Sequence, residues 1–183
     1  GNKMWDRTLG GRGEDRCNGA IEVAEKGYLV YGGSTSPADG DRSAKTNGNQ
    51  DFWIIRIDAN GNKIWDKAYG GDHYEYCTYA LLSPDGGFLL GGTTSTWSDG
   101  DLSQTSRGGD DFWIVKTDAN GSKQWDKRYG GSDADGLQII LSNSDGGYLL
   151  GGYSLSGIYG DKTETSRGEA HYWIVKIDAN GNK

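Results

Sequence analysis

Asp51-Phe52-Trp53-Ile54-Ile55-Arg56-Ile57, running directly into Asp58-Ala59-Asn60-Gly61, is the stretch that decides the fold. In an extended chain successive side chains point to opposite faces. Trp53, Ile55 and Ile57 therefore share one face and Phe52 and Ile54 the other, with Arg56 the one polar interruption. A sheet with one face in water carries a polar side. This segment has none, so it is expected to lie in a sheet covered on both faces. Asn60-Gly61 then supplies residues that tolerate left-handed backbone, the signature of a tight hairpin into a further strand.

The segment recurs at a fixed interval. Asp111 to Thr117 and His171 to Ile177 repeat it 60 and 120 residues later, each followed by Asp-Ala-Asn-Gly. Trp5, Trp65 and Trp125 keep the same spacing, and no insertion breaks the frame between residues 1 and 183. Such a period marks stacked supersecondary units rather than one irregular core. Each unit carries four β candidates. In the second they fall at about Cys77–Ser83, Phe88–Gly92, Phe112–Thr117 and Lys123–Tyr129, joined by the turn at Asp85-Gly86-Gly87, a long polar loop, and the turn at Asn120-Gly121. The units are read as 8–67, 68–127 and 128–183, with 1–7 matching a fourth strand and so able to complete the last unit.

Composition agrees with an all-β chain. Gly is abundant (32) without a three-residue period, Pro is scarce (2), and seven Trp with eleven Tyr exceed what a disordered polar chain carries. The net charge of −7 argues against nucleic acid as a partner. No apolar run approaches the length of a membrane span, so no bilayer insertion is expected. Cys17 and Cys77 occupy equivalent positions where the third unit has Leu137, which predicts two buried thiols acting as small hydrophobes.

Gly91-Gly92, Asp111-Phe112-Trp113, Asp118 through Gly121 and Trp125 follow one another in an order that resembles the kelch-type β-propeller blade. Gly32, Trp53, Gly61 and Trp65 repeat it, as do Gly151-Gly152, Trp173 and Gly181. The middle loop is longer than in that family, and the first unit reads Tyr31-Gly32-Gly33. The whole 60-residue unit also resembles tandem repeats of secreted and outer-surface proteins of Bacteroidota. These likenesses imply a β-propeller-like arrangement of three four-stranded antiparallel blades, with the N-terminal strand closing the last. Alternatively, two chains would form a six-bladed dimer. They also imply an extracellular or cell-surface location.

In such a unit the long loop and the linker between units share one rim, where elaborated loops commonly carry binding. The loops 37–50, 97–110 and 157–170 each contain Gly-Asp, at Gly40-Asp41, Gly100-Asp101 and Gly160-Asp161. These carboxylates suit either Ca²⁺ or the capping of local amides; no cofactor is otherwise implied. Departures from repetition are the better pointers. Trp97 stands where the other units have Pro37 and Gly157, Tyr159 replaces Asp39 and Asp99, and His73, Tyr74, Glu75 and Tyr76 replace Gly13, Glu14, Asp15 and Arg16. An exposed aromatic ring beside Asp99, Glu75 or Arg107 is the chemistry that stacks on a sugar and bonds its hydroxyls. The expected function is therefore a non-catalytic extracellular module binding glycans or a surface protein, as a monomer or homodimer. One alternative is a structural spacer within a larger secreted protein. A second is a polysaccharide hydrolase using Glu75 with Asp99, or a lyase using Tyr74 with His73.

Overall fold

The computed structural model describes residues 1–23 and 27–183. Among the described residues there are eleven strands: β1 Asp15–Val23, β2 Gly27–Ser34, β3 Asp51–Ile57, β4 Lys63–Tyr69, β5 Glu75–Leu82, β6 Phe88–Thr94, β7 Asp111–Thr117, β8 Lys123–Tyr129, β9 Asp135–Ser142, β10 Tyr148–Ser154 and β11 His171–Ile177. They form three separate antiparallel sheets in chain order: β1-β2-β3-β4, β5-β6-β7-β8 and the three-stranded β9-β10-β11. Among the described residues no helix is long and apolar enough to cross a membrane.

The turns obey the chemistry read from the sequence. Gly61, Gly121 and Gly181 have φ of +78°, +74° and +75°, a region that a Cβ disfavours. In each turn the preceding Asp caps it: Asp58 Oδ1 accepts the Asn60 and Asn62 amides at 2.8 Å, and Asp118 does the same for Asn120 and Ser122.

β7 is covered by a sheet on both faces, whereas β3 has a sheet over its Phe52 face only and β11 leaves Tyr172 and Ile174 exposed. Phe52 of β3 meets Trp113 of β7 at 4.8 Å between ring centroids, and Phe112 meets Trp173 of β11 at 4.9 Å. Each Phe tip lies over the second glycine of a Gly-Gly pair, where a Cβ on Gly92 would stand 2.9 Å from Phe52 Cζ and one on Gly152 2.9 Å from Phe112 Cζ. That Cβ would also overlap the carbonyl oxygen of Tyr76, which cannot move without breaking the ladder. We expect Gly92→Ala to lower the unfolding free energy by about 1–3 kcal/mol. Chemical denaturation checks this, and an unchanged midpoint would mean that the interface is looser than these distances state.

The sheets do not form a propeller. Only consecutive sheets touch, β5 packing on β1, β2 and β3, and β9 on β5, β6 and β7. Among the described residues no strand of the first sheet meets one of the third. Burial on both faces requires a neighbour on each side, and an open stack supplies that to its middle sheet. The kelch-like blade arrangement, its closure and the six-bladed dimer are thereby corrected. So is the closing strand. Residues 1–10 form no strand, and the third sheet ends at β11. Trp5 instead rests against Gly61 of the first unit and donates its Nε1–H to the Ala59 carbonyl at 2.9 Å. Trp65 meets Gly121, and Trp125 meets Gly181, in the same way. The paired-thiol expectation holds for one residue only, since Cys77 is buried and Cys17 exposed.

Candidate functional site

The rim is built on the linkers between units. From Gly70 to Tyr74 the chain has no strand ladder on one side, yet five consecutive amides find side-chain acceptors. Gly70 N–H reaches Asp101 Oδ2 at 3.1 Å, Gly71 reaches Glu75 Oε2 at 2.9 Å, and Asp72 reaches Asp99 Oδ1 at 2.9 Å. His73 donates to Thr96 Oγ1 and Tyr74 to Ser95 Oγ, both at 3.1 Å. The first linker repeats the scheme with Asp41, Asp15, Asp39, Ser36 and Thr35. Unpaired amides away from water are costly, and these carboxylates and hydroxyls remove that cost along both linkers.

This decides what the acidic residues do. Asp41, Asp101 and Asp161 each accept the first glycine amide of a linker, and Asp101 and Asp161 take a second donor from Asn47 Nδ2 (3.1 Å) and Arg107 Nε (3.0 Å). Amide capping is the role their geometry displays. Among the described residues no three of His, Cys, Asp and Glu gather as a metal site would need. Glu75 lies wholly inside, accepting hydrogen bonds from Thr94 and Thr96 at 2.8 and 2.6 Å. Its burial raises the carboxyl's pKa, more than these bonds and that of Gly71 lower it.

Of the residues nominated from sequence, His73, Tyr74, Trp97 and Asp99 come together on the rim of the second unit. Asp72 to Tyr74 run beside Ser95 and Thr96, and Trp97 follows immediately. Trp97 is 67 % exposed and Tyr74 44 %. Tyr76, singled out with Tyr74 in the sequence, stacks its ring parallel to that of Tyr74 with centroids 6.1 Å apart. Two-residue spacing puts both rings on one face of the chain. Glu75 sits beneath this group and does not face solvent. Arg107 and Tyr159 lie at the joint to the third unit, where Arg107 is tied to Asp161 and Tyr159 is 57 % exposed.

The floor under Trp97 is an ion pair that sequence reasoning missed. Arg128 Nε meets Asp111 Oδ2 at 2.5 Å with both side chains fully buried, and Nη1 donates to the carbonyls of Thr96 (2.6 Å) and Trp97 (3.0 Å). In the first unit Arg42 does the same from a different position, pairing with Asp51 at 2.6 Å and donating to the Ser36 carbonyl at 2.7 Å. The second unit has Leu102 where the first has Arg42, so its guanidinium comes from β8 instead. In the third unit Lys162 donates to the Ser156 carbonyl at 2.8 Å, and His171 Nε2 accepts the Arg167 amide at 2.8 Å. Asp51 and Asp111 accept the equivalent amides of Asn47 and Arg107, so His171 stands in for them as an acceptor.

No protein-family model matches the chain, and no curated protein does. The resemblance to kelch blades and to Bacteroidota surface repeats thus finds no counterpart in the comparisons, in agreement with the discrete, unclosed sheets.

Proposed function

We propose that the protein is a non-catalytic binding module that takes glycans on the rim of its second unit, acting outside the cell. The observation that carries this reading is the exposed aromatic group of Tyr74, Tyr76 and Trp97, held on a backbone whose amides and carbonyls are already bonded. Rings of residues that are 44 % to 67 % exposed on a stiff support cost little to order on binding. Exposed apolar surface rimmed by polar groups marks an interaction site. Aromatic side chains bring a large contact area together with a polar tip. His73 and Asp99 supply polar atoms at the edge of the group.

Glycan-array screening followed by titration calorimetry tests the reading. Trp97→Ala and Tyr74→Ala are each expected to weaken binding roughly tenfold, about 1.4 kcal/mol, while leaving stability within about 0.5 kcal/mol because both are surface changes. If no glycan binds, or both variants bind as well as the parent, the proposal fails. Binding that survives both changes but is lost on altering Tyr159 would move the site to the third unit.

A further inference from the structure

We propose that the outer face of the third sheet docks onto the first sheet of a second copy, head to tail. The chain already contains this interface twice. Phe52 covers Trp113 over Gly92, and Phe112 covers Trp173 over Gly152. A side-chain donor accompanies each, Asn18 Nδ2 to the Cys77 carbonyl at 2.8 Å and Thr78 Oγ1 to the Leu137 carbonyl at 2.9 Å.

The third sheet presents the same face with nothing on it. Tyr172 stands at the position of Phe52 and Phe112 and is 94 % exposed, where both of those are at 0 %. Ile174 likewise is 56 % exposed against none for Ile54 and Ile114. Gln138, also exposed, occupies the place of Asn18 and Thr78.

The complementary half lies at the other end. Beneath the first sheet is a cavity of about 390 Å³ lined by Trp53, Gly32, Val30, Ile55 and Cys17. Trp53 and Gly32 are the counterparts of Trp113 with Gly92 and of Trp173 with Gly152, so the cavity is a ring socket without its ring. Cys17 gives an independent sign: its counterparts Cys77 and Leu137 are fully buried by the preceding sheet, whereas Cys17 is exposed. The N-terminal segment is also in place. Trp5 already sits on the first unit as Trp65 and Trp125 sit on the second and third, so the first sheet is flanked as the other two are. Knob and socket on opposite ends of one chain define a heterologous contact without a two-fold axis.

Sedimentation of the 183-residue chain over a range of concentrations, with iodoacetamide labelling of Cys17, tests this. The mass should rise above that of the monomer with concentration, while Cys17 labelling slows at least tenfold and Cys77 stays unreactive throughout. Tyr172→Asp spoils the knob and Cys17→Arg the socket. Both positions are exposed, so each variant should keep the parent's circular dichroism, and each alone should be monomeric. Mixed together they should form a 1:1 complex that stops at two chains, since one good knob and one good socket remain. A parent that is monomeric at every concentration overturns the proposal. So does a Cys17→Arg variant that still associates, which would mean third sheet against third sheet.

Discussion

Replacing Arg128 with alanine is expected to cost about 3–5 kcal/mol of folding free energy, because it leaves the Asp111 carboxylate buried without its cation. Both partners are fully inaccessible, and burial pushes the Asp111 carboxyl up and the Arg128 guanidinium down in pKa, so desolvation disfavours each charge and their pairing offsets part of that cost. Removing the cation takes away the attraction and leaves the desolvation. The pH dependence has a definite sign. A carboxyl whose folded pKa lies above its unfolded value costs nothing when protonated in both states and destabilises the fold once it must ionise. The deficit of Arg128→Ala is therefore largest at neutral pH and shrinks as pH falls toward about 4, the ordinary Asp value. Urea unfolding at several pH values gives the answer. A deficit that stays constant with pH, or grows in acid, would show that lost packing rather than the orphaned charge is the cause. Since Nη1 also fixes the Trp97 carbonyl, glycan binding should weaken in this variant under conditions where it remains folded.

Trp113→Ala should cost about as much, 3–5 kcal/mol, by a different route. The indole is fully buried between the first two sheets, touches Phe52, and donates Nε1–H to Asp126 Oδ2 at 3.1 Å. Its removal opens a hole that glycine-lined walls cannot close and strips a donor from a nearly inaccessible carboxylate. Trp53→Ala provides an internal control. Trp53 makes the same bond to Asp66 at 3.0 Å, yet faces the cavity beneath the first sheet rather than another sheet. Its loss should be clearly the smaller of the two. Equal losses would mean that the sheet interface adds nothing to the value of the ring.

The strands and turns were legible because they are local: alternation, Asn-Gly and Gly-Gly act within a few residues. All four strands read in the second unit are present, β5 to β8. The arrangement of the units was not legible. Phe52 and Ile54 announced that something covers them, but an apolar face names no angle, and Tyr172 and Ile174 carry the same pattern while lying exposed. Within the site, irregularity led to Trp97 and Tyr74, which lie exposed, and to Glu75, which lies inside. Its counterparts Asp15 and Asp135 are also acidic, and that recurrence was the mark of a structural acceptor rather than a ligand group. Arg42 and Arg128 stand in no common register, so their shared task emerges only when loop and strand converge in space.

The linkers carry one more consequence. Gly-Gly pairs between folded units ordinarily act as swivels, but here every amide from Gly70 to Tyr74 is engaged by a neighbouring loop. At this joint five bonds fix the linker to the second unit, and at the next the amides of Gly130, Gly131 and Asp133 are held by Asp161, Asp135 and Ser156. Strain applied at one end is passed on rather than absorbed, so the protein transmits force along its length like a spliced beam and not like beads on a thread.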